Sequence, residues 1–337
     1  MNERMMTGMM QSDNINKLVN QNPLPRNEDM KDIYTFACHE SEQELCMMEL
    51  RELIGHEPEA GRSWVQSERK ISPDRSPFIS ARMDVLLEED TIEELAAQAS
   101  LIQLADSTFK VVYMKAGEKR SYEEQRAVER LVGGQIIGKA DMKSPDITFS
   151  LLSQEGRWML GVCHYPERAW LSHKQKPQNY STGLSSRVAR ALVNIAAPNI
   201  EGIRLLDPCC GMGNVLIEAL SMGLSIEGCD INPLAVRGAR VNLQHYGYSD
   251  KNVSLRDMND LDGHYNAAIL DMPYNVCSVL PHEDKLRMLT SLRRLADRAV
   301  IVSTEPLEGL LGDTGWQVLG KIQASKGTFV RDIWLCS

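Results

Sequence analysis

The residues best suited to chemistry form a turn, Asp-Pro-Cys-Cys-Gly-Met-Gly-Asn, at positions 207–214. Gly211 and Gly213 allow a tight turn and a close approach of the backbone to a ligand, as in turns that bind nucleotides. A dinucleotide fingerprint would need a third glycine at position 216, where this chain has leucine. Asp207 would repel a pyrophosphate but can pair with an ammonium group. The turn therefore predicts a cofactor that carries an amino acid, and S-adenosylmethionine (SAM) fits.

Two further carboxylates follow the next predicted strands. Asp230 ends a strand at 225–230, where an acidic side chain can accept hydrogen bonds from ribose hydroxyls. Asp257 follows a strand at 253–256 and can accept from an adenine amino group. Strand ends on one side of a parallel sheet predict a nucleoside site, and turn-forming aspartates are the alternative. With no metal expected, the predicted cofactor site comprises Asp207, Cys209, Gly211, Gly213, Asn214, Asp230, Ile231, Asp257 and Met258.

A second motif, Asp-Met-Pro-Tyr at 271–274, ends the fourth predicted strand of this half. Methylation of an exocyclic amine on a nucleobase needs a carboxylate and a carbonyl to accept N–H groups, a rigid turn and an aromatic face. Asp271, the carbonyl of Met272, Pro273 and Tyr274 can supply these, with the carboxylate acting mainly by positioning the nitrogen. We therefore predict that Asp271, Pro273 and Tyr274 are catalytic. A strand-end aspartate beside an ordinary turn is the alternative.

The elements that position both motifs have the pattern of a doubly wound α/β domain. Strands are predicted at 202–207, 225–230, 253–256, 267–271 and 299–304, and helices at 214–222, 233–246 and 283–296. Two consecutive strands at 317–323 and 329–335 end the chain. This order predicts a mainly parallel sheet with an antiparallel edge.

The first half predicts a smaller α+β domain, because short strands alternate with helices at close spacing. One helix is predicted at 91–104, where Thr91 and Glu94 form a capping-box pattern, and another at 122–132. The predicted organisation is a disordered tail at 1–30, this domain at 31–165, a basic linker at 166–184 and the α/β domain at 185–337.

Composition excludes several classes of protein. With 337 residues, 43% of them hydrophobic and 25% charged, the chain is neither collagen-like, wholly disordered nor a disulfide-stapled mini-protein. It has no apolar run of about 18 residues, so no membrane span is predicted. The eight cysteines lack metal-binding spacing and the N-terminus lacks the apolar core of a secretory signal. We therefore predict a cytoplasmic protein with free thiols.

A basic stripe interrupts the acidic overall balance, which is −9. Between Arg157 and Arg190, six basic residues face one acidic residue, and Trp158, Tyr165, Trp170 and Tyr180 lie among them. Such a mixture suits phosphates and stacked bases. A solvated linker with aromatic anchors is the alternative.

The two motifs resemble motifs I and IV of class I SAM-dependent amino-methyltransferases. The stretch 176–194 is similar to the segment before motif I in THUMP-containing tRNA guanine-N2-methyltransferases of the guanosine-10 type. The resemblance covers most of 32–337 and is looser in the first half. It implies a THUMP-type RNA-binding domain, a Rossmann-like catalytic domain and methyl transfer from SAM to the N2 amine of a guanosine in tRNA.

The chain departs from this family at two places. Met272 stands where the family usually has the first proline of Asp-Pro-Pro-Tyr, so we expect a less rigid turn. Cys209 and Cys210 replace aromatic or small residues and are interpreted as buried thiols rather than nucleophiles for carbon methylation.

Two alternative functions are open. One is amino-methyl transfer to another substrate, such as adenine N6 in RNA or DNA or a protein glutamine. The other is a non-catalytic RNA-binding homologue. A need for a small activator subunit is also left open.

Overall fold

The computed structural model describes residues 30–180, 183–273, 280–326 and 329–337. The predicted tail at 1–30 therefore lies outside the described residues, apart from Met30. The chain divides into two compact units. The first unit contains the described part of Met1–Ala37 with Pro58–Pro73 and Ile79–Pro166, and the second contains Cys38–Glu57, Asp74–Phe78 and Glu167–Ser337.

Strands and helices are interspersed along both halves of the chain. Residues 32–164 form β1 (Asp32–Phe36), α1 (Gln43–Ile54), β2 (Trp64–Ser67), β3 (Ile79–Glu89), α2 (Ile92–Ala99), β4 (Gln103–Tyr113), α3 (Tyr122–Gly133), β5 (Ile137–Ala140), β6 (Ile147–Gln154) and β7 (Arg157–His164). Residues 186–336 form α4 (Ser186–Ala196), β8 (Arg204–Asp207), α5 (Asn214–Ser221), β9 (Ser225–Asp230), α6 (Pro233–His245), β10 (Val253–Leu255), β11 (Tyr265–Asp271), α7 (His282–Leu295), β12 (Ala296–Ser303), α8 (Glu308–Asp313), β13 (Val318–Lys326) and β14 (Phe329–Cys336).

The first unit is built on a mixed seven-stranded sheet in the order β2-β1-β3-β7-β6-β4-β5. Strand β4 runs parallel to β5 and β6, and the other neighbours are antiparallel. The helix predicted at 91–104 ends at Ala99, and the last two residues of the predicted range belong to strand β4, which begins at Gln103. Ile102 and Leu104 continue the apolar spacing of the helix, but both are buried in the core of the sheet. The α+β prediction is confirmed, with these bounds corrected.

The second unit has a sheet in the order β10-β9-β8-β11-β12-β14-β13. Strands β8 to β12 are parallel, and β14 pairs antiparallel with both β12 and β13. The prediction of a doubly wound, mainly parallel sheet with an antiparallel edge is confirmed. Among the helices of the described residues, none combines the length and apolar character that a membrane span requires.

Helix α1 belongs to the second unit, although the sequence placed it in a domain at 31–165. It packs against α4 and buries Leu50 completely. Glu49, also 0% exposed, accepts hydrogen bonds from Ser76 Oγ at 2.5 Å and from Asn194 Nδ2 at 2.6 Å. The predicted boundary therefore differs from the structure because distant segments of the chain complete the core of the second unit.

The basic stripe is only partly buried. Trp158 lies in the core of the first unit, and Trp170 is 3% exposed within a short 3-10 helix, Ala169–Gln175. Arg190 is buried and donates to Glu218 at 2.9 Å, and Arg187 pairs with Glu42. Trp158, Trp170 and Arg190 are therefore not free to bind phosphates or to stack on bases, and the stripe hypothesis is wrong for these three. Other members of the stripe, such as Arg157 and Lys174, are exposed, and for them it stays a prediction.

Candidate cofactor cleft

A cleft of about 520 Å³ opens in the second unit where the parallel strands end. Its walls include Asp207, Asp230 and Asp271, the last residues of β8, β9 and β11. Because these strands are parallel neighbours, their carboxyl ends meet at one edge of the sheet. The other predicted site residues that line the cleft are Cys209, Gly211, Asn214, Ile231, Asp257, Met258 and Pro273.

Two predicted residues are not among those that line the cleft in the described part of the chain. Gly213 does not line the cleft; it precedes α5 with a φ of +79°, a conformation that favours glycine. A Cβ at this position would lie 3.3 Å from Cβ of Ala239, so Gly213 allows the turn to approach α6 closely. Tyr274 lies outside the described residues, and its predicted stacking stays a prediction.

Asp230 is held by the backbone on both of its oxygens. Oδ2 accepts the N–H of Gly211 at 2.9 Å, and Oδ1 accepts the N–H of Asn232 at 2.8 Å. Each carboxylate oxygen has a second lone pair, so both can still accept from a ligand. The side chain thus orients the glycine turn while keeping the capacity to bind hydroxyl groups.

Both carboxylate oxygens of Asp257 have side-chain partners within the protein. Its Oδ1 accepts from the backbone N–H and from Nδ2 of Asn259, at 2.9 and 2.8 Å. Its Oδ2 pairs with Arg287 at 3.2 Å. Asp257 therefore shapes the turn that carries Met258, and its predicted hydrogen bond to an adenine amino group stays a prediction.

Burial dominates the electrostatics of the cleft. It raises the pKa of Asp207 well above the usual range, and the charges of Asp271 and Asp230 raise that pKa further. Burial also raises the pKa of Asp271 to about 7, although Arg331 partly opposes the shift. A positively charged ligand would relieve both costs.

Two buried oxygen atoms of residues that line the cleft have no hydrogen-bond donor among the described residues. They are Oδ1 of Asp271 and Oδ1 of Asn214. The Asn214 side chain is oriented by its Nδ2, which donates to the carbonyl of Leu184 at 2.8 Å. Buried acceptors of this kind are costly when unpaired. The cleft therefore fits a ligand that brings N–H donors and positive charge.

The two thiols beside the turn are poor nucleophiles. Burial raises the pKa of Cys209 and of Cys210 well above the ordinary thiol value, and the charge of Asp207 adds to the effect. A thiol held neutral in this way does not supply the reactive thiolate. This electrostatic setting supports their interpretation as structural residues.

The residues that line this cleft lie within a segment that matches a known protein family. Residues 173–292 match the family model described as UPF0020, an RMKL-like methyltransferase domain. The matched segment covers about a third of the chain. It contains the glycine turn and Asp271, so the cleft lies within it.

Proteins similar to this chain include some whose names describe methylation of guanine in RNA. The chain is 42% identical over 106 residues to the tRNA (guanine(10)-N2)-dimethyltransferase of Methanothermobacter thermautotrophicus, covering 31% of each chain. It is 28% identical over 215 residues to the protein of the same name from Pyrococcus abyssi, covering 59% of this chain and 64% of that one.

A third relative is the U6 snRNA (guanine-N(2))-methyltransferase THUMPD2 of Mus musculus. It is 28% identical over 152 residues, which are 43% of this chain and 28% of that protein. This chain therefore spans less than two thirds of the length of each of these three relatives.

The structure adds residues to the cleft that the sequence patterns do not indicate. Tyr180 and Leu184 reach it from the predicted linker, and Asp284, Arg287 and Met288 reach it from α7. Tyr180 is one of the aromatic residues of the basic stripe, but no local pattern connects these residues to the two motifs. Only packing of α7 and the linker beside the sheet brings them to the cleft.

Proposed function

We propose that this protein is a SAM-dependent tRNA methyltransferase that acts on the exocyclic N2 amine of a guanosine, of the position-10 type. The observation that carries the proposal is the meeting of Asp207, Asp230 and Asp271 in one cleft of a methyltransferase domain. The names of the three relatives support guanine N2 as the acceptor, and two of them support tRNA as the substrate.

The residues of the cleft fit SAM. The buried carboxyl of Asp207 would pair with the ammonium group of its amino acid, and Asp230 would accept from the ribose hydroxyls. Ile231, which is 70% exposed, and Met258 offer apolar surface to the adenine ring. When bound, SAM supplies a methyl group activated by a positively charged sulfonium.

Asp271 would position the acceptor nitrogen. Its free Oδ1 accepts one N–H of the guanine amine and directs the nitrogen lone pair towards the methyl carbon. Bound SAM would supply the methyl group, and its sulfur would keep the electron pair of the broken bond. Asp271 would receive the proton that the nitrogen loses. Pro273 would fix the turn, and Tyr274 would stack on the base.

The first unit would serve as a THUMP-type RNA-binding domain that recognises folded tRNA by shape and phosphate contacts. The target base would leave its stack to enter the cleft. We place this activity in the cytoplasm.

Transfer of labelled methyl from SAM to unmodified tRNA, followed by mass spectrometry of the nucleosides, tests this proposal. N2-methylguanosine is the expected product. Asp271→Asn should lower the rate about a hundredfold because it misplaces the nitrogen. Asp262→Asn, a change at an exposed carboxylate, should leave the rate unchanged.

Three results would count against this proposal. N6-methyladenosine as the product would favour the adenine alternative. Calorimetry that detects no SAM binding would favour a non-catalytic homologue. An unchanged rate in Asp271→Asn would remove Asp271 from the mechanism.

A further inference from the structure

A single buried amide on α6 binds the backbone of two separate segments. Asn242 is 0% exposed. Its Oδ1 accepts the N–H of Gln178 at 2.8 Å, and its Nδ2 donates to the carbonyls of Gln178 and Met212, both at 2.9 Å. One side chain thus joins residue 178 to residue 212 through three hydrogen bonds.

Both segments form walls of the cleft, although Asn242 does not line it. Met212 lies between the two glycines of the turn and lines the cleft. Gln178 lies two residues before Tyr180, which also lines the cleft. The side-chain amide of Asn242 therefore links the two walls from outside the cleft.

Gly238 provides a second and independent contact to the same two residues. It lies one helical turn before Asn242, so both face the same side of α6. A Cβ at Gly238 would lie 2.2 Å from Sδ of Met212 and 3.5 Å from Cβ of Gln178. Helix α6 thus approaches both walls closely at Gly238 and binds both at Asn242.

We propose that Asn242 is a positioning residue for cofactor binding, which fixes the Met212 and Tyr180 walls of the cleft at their working separation. The identity of the cofactor rests on the proposed function. A buried amide that loses its partners leaves backbone groups unpaired, so the bonds resist displacement. Small displacements of groups that position a ligand have large effects on binding and rate.

Asn242→Ala, compared with Asn194→Ala, tests this inference. Asn194 is equally buried in the same unit and bonds to Glu49 and to the carbonyl of Arg75, but does not contact the cleft walls. Calorimetry should show the Kd for SAM rising about tenfold in Asn242→Ala. The Kd for tRNA should stay within about twofold, a split that general destabilisation would not produce. Asn194→Ala should lower the Tm and leave the Kd for SAM unchanged.

Asn242→Asp distinguishes the hydrogen bond that this side chain accepts from the two that it donates. The carboxylate keeps the acceptor for the N–H of Gln178 but loses both donated bonds. Hydrogen exchange at the Gln178 amide should stay slow in this variant and become fast in Asn242→Ala, while the Kd for SAM rises in both. If Asn242→Ala does not fold, Gly238→Ala displaces Met212 with the amide intact and should also raise the Kd for SAM.

Folded Asn242 variants that bind SAM like the wild type would overturn this inference alone. Equal weakening of SAM binding by Asn242→Ala and Asn194→Ala at matched Tm would also overturn it. A wild-type protein that does not bind SAM would instead contradict the proposed function. Hydrogen exchange at the Gln178 amide would still test whether Asn242 holds the two segments together.

Discussion

At the scale of single residues, burial decides the chemistry of the cleft. Withdrawal from water raises the pKa of Asp207 and brings that of Asp271 to about 7, near the pH at which a carboxylate can exchange a proton. A cation bound beside them would lower both pKa values. Binding of the proposed cofactor and ionisation of these carboxylates should therefore favour each other.

The raised pKa of Asp271 predicts how stability changes with pH. An aspartate titrates near pH 3.9 in an unfolded chain, so between that value and about 7 the folded state holds more protons. Its contribution to the free energy of unfolding is present at low pH and is lost as the pH rises through 7. An asparagine side chain does not titrate, so the Asp271→Asn variant does not lose this contribution as the pH rises. The stability of Asp271→Asn relative to the wild type should rise by about 3 kcal/mol from pH 5 to pH 8.

Denaturant unfolding without cofactor at the two pH values measures this change. Asp262→Asn serves as the exposed control and should keep a constant difference from the wild type. A constant difference for Asp271→Asn as well would contradict the raised pKa.

At the scale of elements, a backbone hydrogen bond holds the start of the turn that follows β11. Met272 is 3% exposed, and its N–H donates to the carbonyl of Val302 at 2.8 Å. A proline at this position could not make that bond. The expectation of a less rigid turn assumed that rigidity needs the proline ring, whereas a backbone hydrogen bond and a buried side chain hold Met272 in place.

Met272→Pro, which restores the sequence Asp-Pro-Pro-Tyr, should therefore destabilise this protein. It removes the hydrogen bond to Val302 and part of a buried side chain, and we expect a loss of about 2 kcal/mol. Met272→Leu keeps the N–H and a similar volume and should cost less than about 1.5 kcal/mol. Urea unfolding of both variants measures the difference. Equal stability of the two variants would show that the bond contributes little.

At the scale of the whole molecule, the second unit, which holds the cleft, is not contiguous in sequence. Residues 38–57 and 74–78 belong to it, although most of the first 166 residues form the other unit. Glu49 of α1 and Asn194 of α4 bond to one another in its interior. We therefore expect folding of the second unit to depend on residues such as Glu49, which precedes the glycine turn by more than 150 positions.

Leu50→Ala tests this dependence. Leu50 is fully buried on α1, and its truncation should cost about 3 kcal/mol through lost burial and a cavity. The loss should affect the unfolding transition that SAM stabilises, because α1 packs within the unit that holds the cleft. Leu160→Ala in the core of the first unit is the matched control and should leave that transition in place. The reverse pattern would contradict the division of the chain.

Some features of this protein are determined by local sequence. The glycines at 211 and 213, the strand-end carboxylates and the alternation of strands and helices predict the α/β sheet and one shared edge for Asp207, Asp230 and Asp271. These inferences succeed because turn conformation and strand direction are set by neighbouring residues.

Tertiary structure alone decided the rest. Nothing near Asn242, Tyr180 or Arg287 in the sequence connects them to the cleft, and nothing near α1 assigns it to the second unit. The partners of these residues lie tens to hundreds of positions away, and only packing of the folded chain brings them together. Burial has the same origin, since the pKa of Asp271 depends on the residues that exclude water from it rather than on its neighbours in sequence.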